Sequence, residues 1–154
     1  MKLKHKLAYM ETAEAFAKCS VSKRLQVGAV IVKNNRIISC GYNALPEHLD
    51  GPLEDSGGHT KPEVRHAEKN ALMGLMKGAE SSVGSMIFCT HACCLACAID
   101  MVDAGVLRYY FKDVYRCSKG LEYLIENGVK VCQLEGGKFR EMFQHTLQRG
   151  LLND

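Results

Sequence analysis

No apolar run in this chain of 154 residues approaches the ~20 residues that a membrane-crossing helix needs. No secretory leader is expected from the N-terminal residues either. Met1-Lys2-Leu3-Lys4-His5-Lys6 is basic, but Glu11 and Glu14 fall where the apolar stretch of a signal peptide would lie. The two absences point to a cytoplasmic protein with no targeting segment. A large excess of one charge is also absent. The formal net charge of +3 is too small for the basic face that grips duplex nucleic acid, and is compatible with a small phosphorylated substrate. No membrane partner and no stable nucleic-acid partner is therefore expected. Finally, no internal repeat, linker or low-complexity tract divides the chain, so one domain over residues 1–154 with a single core is expected.

Cysteine, by contrast, is abundant, with eight in the chain. Without a secretory leader these read as reduced thiols, some of them metal ligands, rather than as a disulfide framework. Cys19, Cys40, Cys89, Cys117 and Cys132 are scattered and read as small buried hydrophobes, three of them (Cys40, Cys89 and Cys132) in strand-like surroundings. Cys93, Cys94 and Cys97 form a cluster that core packing explains poorly.

Along the chain, Leu3 to Ala17 suits an amphipathic helix, with Leu3, Leu7, Met10 and Phe16 on its apolar side. Gln26 to Val32 and Arg36 to Cys40 are β-rich runs around Asn34-Asn35, the signature of a hairpin. Asn43 to Pro62 has glycines, prolines and acids but no periodicity, and reads as a long loop of the kind that is commonly functional or mobile. Helical spacing returns from His66 to Lys77 and stops at Gly78. A short buried strand over Met86 to Thr90 precedes a helix from Cys94 to Ala104, then a strand over Val106 to Phe111. A helix near Leu121 to Glu126, a strand over Val129 to Gln133 and a last helix over Lys138 to Arg149 complete the order. The alternation implies an α/β fold: a three-layer α-β-α sandwich whose five-stranded mixed sheet carries helices on both faces.

Two motifs open successive predicted helices. His66-Ala67-Glu68 begins one and Cys94-Leu95-Ala96-Cys97 begins the next, with the strand Met86 to Thr90 between them. Alone, His-x-Glu is a common helix start, and Cys-x-x-Cys in a cytosolic chain could be redox-active. Together they specify a metal site. Two sulfurs in one first turn meet unpaired amides and the positive end of the helix dipole, which favours the thiolate that binds metal. Two thiolates and one imidazole leave a fourth tetrahedral position open, as in catalytic rather than structural zinc. Zinc in such a set lowers the pKa of a coordinated water to roughly 7. Glu68, two residues past His66, can approach that position without ligating, and is the natural proton shuttle.

His66-Ala67-Glu68 with Cys94-x-x-Cys97 resembles the zinc-dependent cytidine and deoxycytidylate deaminase superfamily, whose signature this is. The signature usually places proline before the first cysteine, where this chain has Cys93. Cys93 is thus the rival for the ligand role. Cys94 is preferred because Cys-x-x-Cys is the family spacing and Ala98 continues the match. Val27-Gly28-Ala29-Val30-Ile31-Val32, Arg36-Ile37-Ile38, Gly41-Tyr42-Asn43 and His66 to Ala71 are further similar to the deoxycytidylate branch, and the likeness spans residues 7–134.

The resemblance implies hydrolysis of dCMP to dUMP and ammonia, a supply step for thymidylate synthesis, with one catalytic zinc ion per chain held by His66, Cys94 and Cys97. It implies Asn43 on the sugar, Ala29 and Ala67 against the base and Tyr115 beside the pyrimidine. A 5′-phosphate needs cations or amide donors, for which Arg24, Arg65, Lys61, His59 and Arg116 are candidates. Lys77 falls where regulated members hold a basic residue associated with effector nucleotides, implying control by dCTP and dTTP, with Mg2+ accompanying them. Homo-oligomers, often hexamers, are implied as well. The Asn43 to Pro62 loop contains no cysteine, so no second zinc is expected from it.

Other readings stay open. Free-nucleoside cytidine deaminases usually have Gly between the cysteines and Arg-Gln after them, where this chain has Leu95-Ala96 and Ala98-Ile99. Adenosine deaminases acting on transfer RNA share the ligands, but would carry a more basic surface. Guanine and riboflavin-pathway deaminases are further members. A non-catalytic zinc module would be favoured by a degraded shuttle, and Glu68 is intact.

Overall fold

A computed structural model describes residues 1–150, so Leu151–Asp154 of the expected domain lie outside the described residues. The elements are α1 (Leu3–Ala17), β1 (Gly28–Lys33), β2 (Arg36–Tyr42), α2 (Ala67–Leu75), β3 (Met86–His91), α3 (Leu95–Asp103), β4 (Arg108–Asp113), α4 (Lys119–Glu126), β5 (Lys130–Glu135), β6 (Lys138–Glu141) and α5 (Gln144–Gly150). No helix among the described residues is long and apolar enough to cross a membrane.

The fold is α/β, with a mixed sheet in the order β2-β1-β3-β4-β5-β6. β1 runs antiparallel to both β2 and β3, while β3, β4 and β5 are parallel, each joined to the next by a helix. The sheet therefore has six strands and not the expected five. The additional strand, β6, takes Lys138–Glu141 from the start of the helix expected over Lys138 to Arg149, and α5 begins only at Gln144. Gly136 and Gly137 sit at φ 58° and 76°, the left-handed backbone of a two-residue hairpin turn, and they fold β6 back on β5. The apolar residues of Phe139 and beyond thus serve a strand edge first and a helix second. At β1–β2 the expected hairpin forms, with Asn34 and Asn35 at φ 52° and 58°.

Side chains alternate across the sheet. Val30, Val32, Phe88, Tyr110 and Cys132 point to one face and bury α1 through Met10 and Ala13. Phe88 stacks on Tyr110 there with ring centroids 4.5 Å apart. Ala29, Ile31, Ile87, Cys89, Tyr109, Phe111 and Val131 point the other way, where Ala71, Ala98, Met101 and Leu124 of α2, α3 and α4 cover them. Strands buried on both faces read as continuous apolar runs, which is why Ala29 to Val32 shows no alternation in the sequence. Cys40, Cys89 and Cys132 lie in strands as expected, whereas Cys19 and Cys117 are exposed rather than buried. Each lies in a loop outside the two cores.

The 43–66 loop is long, as expected, but pinned. Ala44 pairs with Arg65 and Glu54 with Thr60 in isolated bridges, and Leu53 is buried. Beyond it, α2 lies directly on β2. A Cβ on Gly41 would stand 2.4 Å from the Ala67 carbonyl oxygen and 2.5 Å from the Ala71 amide nitrogen, backbone atoms that cannot yield without moving the helix. Asn70 Nδ2 donates to the Tyr42 carbonyl at 2.8 Å and Ser39 Oγ to the Ala71 carbonyl at 2.6 Å, tying the same two elements. Gly41→Ala is therefore expected to lower the unfolding free energy by about 1–3 kcal/mol or more, the range for overpacking, as read from the urea midpoint.

Candidate metal centre and active site

His66 is the N-cap residue of α2, in extended backbone, and Cys94 is the N-cap of α3. The two helices begin side by side, and their first turns meet. His66 Nδ1 lies 3.4 Å from Cys94 Sγ and 3.5 Å from Cys97 Sγ. The three ligand atoms fall within 4.8 Å of one another. Cys94 Sγ also accepts the Cys97 amide at 3.5 Å, so the sulfur caps its own helix. The Cys97 thiol, followed by His66, draws the Cys94 thiol down to about 4 against the cost of burial. Cys97 is pushed up, first by its bond to Cys94 and then by burial. His66 is raised, chiefly by its bond to Cys94. Two sulfurs and an imidazole nitrogen at this spacing fit a soft or borderline dication, whose arrival displaces the remaining proton.

Cys93 stands apart. It is fully buried, outside the ligand group, and burial pushes its thiol well above the usual range. In place of the usual proline it packs as a small hydrophobe in the core with Ala92 and Leu121.

Glu68 is in the first turn of α2 and only 3% exposed. Burial pushes its carboxyl above the ordinary carboxylate range, with its own backbone amide and His66 opposing. The Tyr109 hydroxyl lies 3.2 Å from Glu68 Oε1 and 2.8 Å from the His91 carbonyl oxygen. One phenolic proton cannot serve both acceptors fully. With that proton on the carbonyl, the phenol oxygen is free to accept from a protonated Glu68.

Beside these groups is a cleft of about 440 Å³. It opens beyond the C-terminal ends of the parallel strands β3 and β4, the usual place for ligands in an open α/β sheet. His66, Glu68 and Cys94 line it, as do Arg24, Asn43, Ala67 and Tyr115. Arg116 lines it too, its guanidinium 5.6 Å from the centre of the Tyr115 ring. The remaining expected residues lie elsewhere. Ala29 is fully buried inside the sheet between Gly41 and Cys89. Arg65 lines a second depression, which His66, Cys94 and Cys97 also border, and its backbone is paired with Ala44. Neither His59 nor Lys61 lines the cleft. His59 instead approaches Asp55. Lys77 is exposed, past the end of α2, and contacts Glu47 at 3.3 Å.

Several cleft residues were missed in the sequence, His91, Asp113 and Ser22 among them. His91 and Asp113 face each other at the ends of β3 and β4, with Nε2 3.8 Å from Oδ2. Thr90 Oγ1 is 2.9 Å from His91 Nδ1. Burial lowers the His91 imidazole, with Asp113 opposing. The signal was a histidine just ahead of the cysteine motif, hidden by ending the expected strand at Thr90. Ser22 belongs to a wall, residues 20–27, that has no regular structure and no periodicity to read.

Asn43 holds that wall. Its Oδ1 accepts from the Val27 amide at 2.9 Å and its Nδ2 donates to the Leu25 carbonyl at 2.7 Å. Asn43→Ala leaves both backbone groups to find other partners. It is expected to cost about 1–3 kcal/mol of stability with no ligand present, measured by urea unfolding.

Comparison with known proteins places this geometry. Residues 3–112 match the family model for the cytidine and deoxycytidylate deaminase zinc-binding region. Among solved structures, the dCMP deaminase of cyanophage S-TIM5, in complex with dCMP and dUMP, superposes with a TM-score of 0.84 and 42% identity, covering 86% of this chain and 98% of that one. The ComE operon protein 2 of Bacillus subtilis (strain 168) is 31% identical over 82% of this chain and 69% of its own length. The deoxycytidylate deaminase of Mycobacterium phage D29 is 31% identical over 67% of this chain and 90% of its own. With its His-x-Glu and Cys-x-x-Cys motifs brought together at two meeting helix starts, the chain belongs to the cytidine and deoxycytidylate deaminase family.

Proposed function

We propose that this protein hydrolyses dCMP to dUMP and ammonia, with a zinc ion held by His66, Cys94 and Cys97. The observation that carries the reading is the junction of that ligand set with buried Glu68, beside a cleft lined by His66, Cys94 and Glu68 together with Arg24 and Arg116. When bound, zinc supplies a Lewis acid that makes water nucleophilic near neutral pH.

The chain's own residues do the rest. Glu68 takes a proton from the attacking water and passes it to the ring nitrogen beside the amine. It then carries the second water proton, from the oxygen now bonded to the ring carbon, to the amine, and the carbon–nitrogen bond breaks to release ammonia. Its burial keeps the carboxyl basic enough to accept that proton. Ala67 leaves room at the floor for a pyrimidine ring, and Tyr115 offers it an aromatic wall. Asn43, rigid in its bonds to Val27 and Leu25, places a polar edge where the sugar would lie. For the phosphate, the field narrows to the two arginines of the lining. Neither forms an ion pair among the described residues, so both guanidinium charges are available. The likeness to the cyanophage enzyme supports the same substrate class. Lys77 lies outside this cleft, and any effector role would be exercised from a different surface.

The test is ammonia release from dCMP, deoxycytidine, CMP, cytidine and a transfer-RNA anticodon stem, with zinc-loaded protein. dCMP is expected to react fastest, and equal rates on deoxycytidine would overturn the phosphate reading. Glu68→Ala is expected to keep its zinc by metal analysis yet lose about 10²–10⁴ in turnover. Zinc content should fall sharply in Cys94→Ala and stay at the wild-type level in Cys93→Ala. The reverse pattern would shift the ligand register by one residue.

A further inference from the structure

One wall of the cleft is irregular chain whose shape comes from side chains elsewhere. Glu54 is central to it. It lies in the 43–66 loop, beside buried Leu53 and paired with Thr60, and it is only 6% exposed. Its Oε1 accepts from Ser22 Oγ at 2.8 Å, from the Lys23 amide at 2.9 Å and from the Arg24 amide at 3.3 Å. Ser22 Oγ in turn accepts the Leu25 amide at 3.3 Å. The second carboxylate oxygen, Oε2, is buried with no hydrogen-bond partner. The Ser22 hydroxyl, and then the amides, hold the carboxyl below its ordinary range against the cost of burial, so it is charged. Glutamate is among the residues least often buried unless paired, and no cation pairs with this one among the described residues.

What the carboxylate holds is the bend that carries Arg24. It shares the backbone amide of Arg24 with Ser22 Oγ, each at 3.3 Å, and leaves the guanidinium alone. A carboxylate placed against the guanidinium would neutralise the charge; one placed against the amide fixes where the charge starts from. Fixing the stem of a long cationic side chain removes part of the ordering cost of binding an anion. We infer that Glu54 is a positioning residue that sets recognition of the substrate's 5′-phosphate through Arg24. The inference rests on the dCMP reading above.

The test compares steady-state kinetics on dCMP and deoxycytidine for wild type, Glu54→Ala, Glu54→Asp, Glu54→Gln, Arg24→Ala and the Arg24→Ala/Glu54→Ala pair. Glu54→Ala is expected to raise KM for dCMP roughly tenfold, the scale of a hydrogen bond to a charged group, with kcat within about twofold. Gln, which keeps a carbonyl oxygen for the same donors, should recover most of that loss. Asp keeps the charge but is too short to reach, and should not. In the Arg24→Ala background, Glu54→Ala should add less than about twofold, because the effect runs through that arginine. Should Glu54→Ala fail to fold, the Asp and Gln variants carry the comparison. A fall in kcat at unchanged KM, an equal loss on deoxycytidine, an unchanged KM in Glu54→Asp, or full addition in the double variant overturns the inference alone. A wild-type enzyme indifferent to the 5′-phosphate overturns the dCMP reading and the inference together.

Discussion

The imidazole of His66 can sit within 3.5 Å of both Cys94 Sγ and Cys97 Sγ only if two helices start at the same place, and the architecture is arranged around that requirement. α2 is held down on β2 by the close approach at Gly41 and by Asn70 and Ser39. α3 follows directly from β3, two strands away across β1. Both helices direct unpaired amides and the positive end of their dipoles at the junction, where anionic sulfur accumulates. One Cys94 thiolate is already favoured before any cation is considered, so the junction is prepared for metal rather than merely tolerant of it.

The same junction governs the proton chemistry. Glu68 cannot be moved away from the ligands without unwinding the first turn that holds His66. Its surroundings are the buried Tyr109 hydroxyl, the His91 carbonyl and a fully buried Cys89 whose thiol burial keeps neutral. Burial in such a place raises the carboxyl above the ordinary carboxylate range and so favours its protonated form. The cleft thus brings His66, Cys94 and Glu68 together with two arginines, Arg24 and Arg116, from different loops.

Those walls obey a different physics. Residues 20–27 form almost no helix or sheet hydrogen bonds, and side chains take over the backbone's unmet donors and acceptors, whereas 43–66 is also tied by its own backbone bonds. Ser20 accepts the Ser22 amide and donates to the Asn43 carbonyl, Asn43 serves Val27 and Leu25, and Glu54 serves Lys23 and Arg24. Loops bound in this way keep a fixed shape while leaving their outward side chains free for a ligand.

By itself the sequence determined the chemistry: His66, Glu68, Cys94 and Cys97 are short-range motifs, and each element that carries them is announced by local periodicity or a cap. It also determined the helix–strand alternation, because α/β layering follows from local patterns. The sixth strand escaped notice because Lys138–Glu141 is four residues of edge strand with mostly exposed side chains, and a helix-like pattern continues through Gln144. Only the tertiary structure decided which cations share the cleft. Arg24 and Arg65 are equally basic in the sequence, yet one lines the cleft and the other a neighbouring depression that His66 and Cys94 also border. It alone revealed Glu54 and His91, whose roles depend on contacts between segments distant in the chain. Spacing encodes what one helix turn presents; it carries no record of which loop returns to meet it.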